Sequence, residues 1–137
     1  MTFKNRFYPH LLEEDIEVWE RFLKMHAHEY THFDYDVRVG IGRDPGAAYP
    51  ENIRGMALKL SMRRIDAVGH KPGSLTIIEI TTAAGLTAIG QLTTYPILYR
   101  ETYNPTKLID VLLVAESLQS DVQPALEANL IPYLLFP

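Results

Sequence analysis

The chain has 137 residues, of which 47% are hydrophobic, with a net charge of −4 and a pI near 5.7. This length and apolar content predict one folded domain over 1–137 rather than a disordered chain, and the acidic balance argues against a basic surface gripping duplex DNA along many phosphates. The lack of cysteine excludes disulfides and thiolate zinc sites, and neither a signal-peptide run nor 18 uninterrupted apolar residues occurs, so no secretion signal and no membrane span are expected.

Residues 11–29 carry Leu12, Ile16, Trp19, Phe22, Leu23 and Met25 at helical spacing, with acidic residues in the first turns. Residues 33–41 alternate as a half-buried strand does, which puts Asp34 and Asp36 on its solvent face. GRDPGAAYP is punctuation, and 51–60 suit a short helix. Strands are predicted over 62–69 and 75–81, joined by HKPGS, whose Pro-Gly pair suits a hairpin turn. A helix over 83–103 contains Pro96, a potential kink. A buried strand over 107–115, a short helix near 121–129 and a last strand in LIPYLLF complete the order αβ(α)ββαβαβ, a mixed sheet of about five strands flanked by helices.

Chemistry concentrates between Arg64 and Arg100. Asp66 lies in one strand and Glu79 in the next, within the apolar run TIIEI, where an unpaired carboxylate is costly and needs a metal, an arginine or a proton. Adjacent antiparallel strands bring two such acids to one end of a sheet. Clustered oxygen donors suit Mg²⁺, with the backbone carbonyl of Ile80 as a further donor. Side chains 79 and 81 share a strand face. The helix that follows carries Gly90, Gln91 and Tyr95, of which packing against the sheet accounts for most.

These residues resemble the PD-(D/E)xK nuclease superfamily, in particular its small standalone members with a GQ…Y helix. The resemblance implies a restriction-endonuclease-like core, Asp66 and Glu79 as metal-binding acids with Mg²⁺ as cofactor, and Gln91 as the helix glutamine. Glu13, Glu14 or Glu17 is the candidate for an extra acid on the first helix. The superfamily's lysine has no counterpart, because its position is Thr81. Arg64, Lys59 or Lys71 are the candidates to replace it, Arg64 foremost. The first expectation is therefore a catalytically degenerate module with protein partners and a homo-oligomeric state. The style of the resemblance suggests a tailed-phage neck or head–tail connector, in the host cytoplasm or in a virion. The alternative is an active Mg²⁺-dependent DNA nuclease.

One further motif competes. His28-Glu29-Tyr30-Thr31-His32 matches H-E-x-x-H, the zinc metalloprotease pattern. It needs a sustained helix, whereas the first helix is predicted to end near Tyr30. Tyr95, Tyr99, Arg100 and Tyr103 suit either a nucleic-acid groove or, more commonly, a protein interface.

Overall fold

The computed structural model describes Tyr8 and residues 10–137. Helix α1 (Glu13–His26) ends in a 3₁₀ turn (Ala27–Glu29) and leads into β1 (His32–Val39). Helix α2 (Glu51–Leu60), the hairpin β2 (Arg63–Lys71) and β3 (Ser74–Ala84), helix α3 (Leu86–Tyr103), β4 (Leu108–Leu118), α4 (Val122–Ala128) and β5 (Tyr133–Leu135) follow. The α/β reading and its element order hold. The third strand extends three residues beyond the predicted 81, and α3 runs on through Pro96.

The five strands lie side by side in chain order. β1–β2 and β2–β3 are antiparallel, whereas β3–β4 and β4–β5 are parallel. The tight turn at Pro72-Gly73, with Gly73 at φ +81°, permits the first arrangement. The parallel pair needs a crossover, which α3 supplies. β3 is central and covered on both faces, so Leu75 to Ile80 are buried without alternation.

One core lies under α1, where Ile16, Trp19 and Phe22 meet Ala67, Ile78, Ile80 and Val114. The other lies under α3 and α4, where Leu92, Tyr95, Tyr99 and Leu126 meet Val68, Leu75, Ile77 and Leu113. The first two strands change face between these cores. In β1, Phe33 and Tyr35 pack on the α1 side while Val37 and Val39 pack on the α3 side, although all are odd-numbered. In β2, Ala67 and Ile65 divide in the same way. Side chains at i and i+2 should share a face, so each strand breaks its pleat between them. Asp36 makes the break in β1 with φ +54°, and Asp66 is the residue opposite, between the pairs Tyr35↔Ala67 and Val37↔Ile65.

Among the described residues no helix is long and apolar enough to cross a membrane. Trp19 is fully buried, stacks on Phe22 at 4.9 Å and donates its indole N–H to the Tyr35 hydroxyl at 3.1 Å. Trp19→Ala is expected to cost about 3–5 kcal/mol in urea unfolding; a loss below about 1 kcal/mol would contradict this packing.

Candidate active site

The β2–β3 ladder runs from the turn to Ala67↔Ile78 and stops. Asp66 and Glu79 are the next residues, facing each other where the strands part. Their side chains take over the backbone's hydrogen bonds. The Asp66 N–H donates to Glu79 Oε2 at 3.0 Å, and the Ile80 N–H donates to Asp66 Oδ2 at 2.9 Å. The Asp66 carbonyl, also without a ladder partner, accepts from His10 Nε2 at 3.0 Å. The two carboxyls are close enough for each to act on the ionisation of the other.

This arrangement sets the electrostatics. Burial pushes Asp66 up to about 6, with the charges of Asp15 and Asp36 adding to the rise and the Ile80 N–H opposing it. Burial, and then the charge of Asp66, pushes Glu79 well above the usual carboxylate range. Their mutual influence favours ionised Asp66 and disfavours ionised Glu79, so Glu79 holds the proton. A cation is the alternative to that proton.

The pair opens into a cavity of about 470 Å³, lined also by Arg64, Thr81, Gln91 and Gln119. Gln91 lies one turn of α3 before Tyr95, whose hydroxyl pKa is raised by burial and by the charge of Glu79 and lowered by Gln91. Thr81 lies on the cavity without a positive charge. Among the described residues lining it, Arg64 is the cation, and its guanidinium forks onto Asp36 through Nε and Nη2 at 2.5 and 2.9 Å. Lys71 lies at the turn end of the hairpin, with Nζ 4.8 Å from the Tyr30 ring centre. Lys59 closes α2 and does not line the cavity.

Several expectations need correction. Glu13, Glu14 and Glu17 are exposed, and the α1 acid whose charge acts on Asp66 is Asp15, which accepts from the Thr82 hydroxyl at 3.0 Å and whose pKa burial raises. The signal was available: Asp15 is four residues before Trp19 and seven before Phe22, on the stripe that faces the sheet. Asp36 is not a solvent-face residue of a regular strand but the left-handed residue that holds Arg64. Tyr95 and Tyr99 are buried in the core, and Tyr103 donates to the Arg38 carbonyl at 2.6 Å, so these tyrosines do not form an exposed groove. His28 lies in the 3₁₀ turn and His32 on β1, so they are not one helical turn apart as a zinc protease needs. Gln119 carried no sequence signal. It reaches the cavity because the parallel register sets Leu118 beside Ala84, and its N–H donates to the Ala84 carbonyl at 2.8 Å. Its carboxamide lies against Gly85, where an added Cβ would come within 2.6 Å of Oε1.

No protein-family model matches the chain, and neither does any curated protein. Among solved structures, a repair endonuclease from Pyrococcus abyssi is similar over 92% of this chain and 48% of its own, with a TM-score of 0.52 and 19% identity. An EndoMS–dsDNA complex is similar over 88% of this chain and 44% of its own, with a TM-score of 0.48 and 21% identity. The chain thus shares its mixed five-stranded α/β fold with the Pyrococcus repair endonuclease, and it spans about half the length of the structures it matches.

The raised acids tie stability to pH. The folded protein keeps a proton on Asp66 that the unfolded chain loses near 3.8, so this contribution is full below about 4 and is lost as pH rises through about 6. Glu79 extends the loss to higher pH. Without divalent metal, urea unfolding should show stability falling by roughly 2–3 kcal/mol over that window. The double variant Asp66→Asn, Glu79→Gln should flatten the slope and exceed the wild type at pH 8. His10, whose pKa burial lowers, contributes with the opposite sign, so a slope from pH 4 to pH 7 that is the same in the wild type and the double variant would contradict this assignment.

Proposed function

We propose that this chain carries a divalent-metal-dependent phosphodiesterase site that acts on DNA. The observation that carries the reading is the pair of carboxyls, opposed across parting strands, fixed by two backbone amides and lining a cavity of about 470 Å³. The donors fit Mg²⁺, being oxygens alone: Asp66, Glu79 and the Ile80 carbonyl, with Asp15 near enough for its charge to act on Asp66. When bound, the metal supplies an acidified water and neutralises charge on the scissile phosphate.

The chain's own residues do the rest. Glu79 and Asp66 give up their shared proton, and the two backbone amides keep the carboxylates in place. Arg64, fixed at the cavity by Asp36, offers the positive charge toward a phosphate that Thr81 lacks. The Asp36 carboxylate offsets part of that charge, so the site is expected to be slow. Gln91 positions through Tyr95. The likeness in fold to a repair endonuclease supports DNA as the substrate class.

Thr81 favours a second reading, a degenerate module with protein partners that keeps the fold without the reaction. The phage neck or connector role is a finer form of it, and no residue of the site bears on that role.

Plasmid cleavage with Mg²⁺ or Mn²⁺ separates the two. The first reading expects slow nicking by the wild type, abolished by Asp66→Ala and by Glu79→Ala. It expects Thr81→Lys to raise the rate by roughly 10²- to 10³-fold, the usual worth of one charge or donor aimed at a transition state. No cleavage by either the wild type or Thr81→Lys, with both folded, would reject it in favour of the module.

A further inference from the structure

Three metal-ligating side chains converge at the other end of the β1–β2 pair, outside the carboxylate cavity. His32 and His70 are partners in the antiparallel register, and their rings stack at 4.3 Å with planes 5° apart. Asp34, two residues along β1 from His32 and so on the same face of the strand, places Oδ2 2.8 Å from His70 Nε2. One donor atom from each of the three lies within 4.8 Å of the others. His32 and Asp34 are exposed and His70 is half-buried, so an ion has a route in.

The surroundings also set the state of one imidazole. The Thr31 hydroxyl donates its single proton to the His70 carbonyl at 3.1 Å. At 3.0 Å from His32 Nδ1 it therefore accepts, which puts the His32 proton on Nδ1 and leaves Nε2 with its lone pair. An outer partner that fixes the tautomer of a ligating histidine is a recurrent feature of metal sites. Strand pairing holds the three backbones, and because parallel stacked imidazoles keep their lone pairs in separate planes, one ring turns about its side-chain torsions to bring both nitrogens to one ion.

We propose that His32, Asp34 and His70 form a second metal site, selective for a borderline transition ion of the Zn²⁺ class, which ties β1 to β2. Two imidazole nitrogens and one carboxylate oxygen suit Zn²⁺ and not Mg²⁺, which takes oxygen donors. The ion displaces the proton between His70 and Asp34 and leaves a fourth position for water. His70 is four residues along β2 from Asp66, roughly 13 Å at strand rise, so the two sites do not share a ligand. His32, the last residue of the His28–His32 stretch, finds its partner histidine on the next strand rather than one helical turn away.

The test uses the full chain carrying Asp66→Asn and Glu79→Gln, which keep an oxygen acceptor for each of the two amides, stripped with chelator, so that the pair contributes no carboxylate. Zn²⁺ titration by calorimetry in millimolar Mg²⁺ should give one ion per chain, with Zn²⁺ raising the thermal unfolding midpoint. Adding His32→Ala, an exposed substitution that leaves the fold intact by circular dichroism, should weaken binding by about tenfold or more and remove the rise. His70→Ala and Asp34→Asn should each weaken binding as well. Undiminished Zn²⁺ binding in the His32→Ala protein, or no binding in the parent, would overturn the proposal. Neither result bears on plasmid cleavage.

Discussion

The candidate site depends on a substitution of hydrogen-bond partners. Where β2 and β3 separate, two backbone amides lose their ladder acceptors and are met by carboxylates, Glu79 for the Asp66 N–H and Asp66 for the Ile80 N–H. Buried amides must be paired, so the side chains are drawn inward by the backbone's need. The result is two acids locked in facing positions that neither could hold alone at low energy. The same parting leaves the Asp66 carbonyl to His10 and coincides with the break at Asp36, where β1 and β2 change the face they present to the two cores.

The electrostatics follow from that geometry. Two carboxylates in one cavity cannot both be charged cheaply without a counter-charge. The guanidinium that lines the cavity, Arg64, is already forked onto Asp36, and Asp15 adds a further acid on the α1 side. Raised carboxyls without a counter-charge keep a proton where a cation could sit, and the donors of Asp66 and Glu79 are oxygens. The second cluster, His32, Asp34 and His70, differs in donor type, and hardness separates the ions the two would take. One sheet thus carries a cluster of oxygen donors where β2 and β3 part and a nitrogen-rich cluster at the turn end of β2.

Much of this was legible in the residues because it is local. TIIEI in a run too apolar for a solvated acid pointed to Glu79, and the hairpin spacing of 13 residues placed Asp66 opposite it. The threonine at the customary lysine position is a matter of period two. What escaped was set by long-range geometry or by strain. No pattern announces that Asp36 adopts φ +54° or that Gln119 arrives through parallel pairing. Lys71 is near Asp66 in sequence, yet it lies at the turn end of β2, away from the cavity. Asp15 was within reach of the helical period. It sits next to Glu13 and Glu14, and only its position on the apolar stripe separates it from them.

The central claim is that Asp66 and Glu79 share a proton whose place a divalent cation takes. Carbon-detected NMR of the side-chain carboxyls, titrated with and without Mg²⁺, reads this directly. The account predicts Asp66 titrating near 6 and Glu79 higher in metal-free protein, and both ionised at pH 6 once Mg²⁺ is added. Carboxyls that titrate independently near 4, with no response to Mg²⁺, would contradict it.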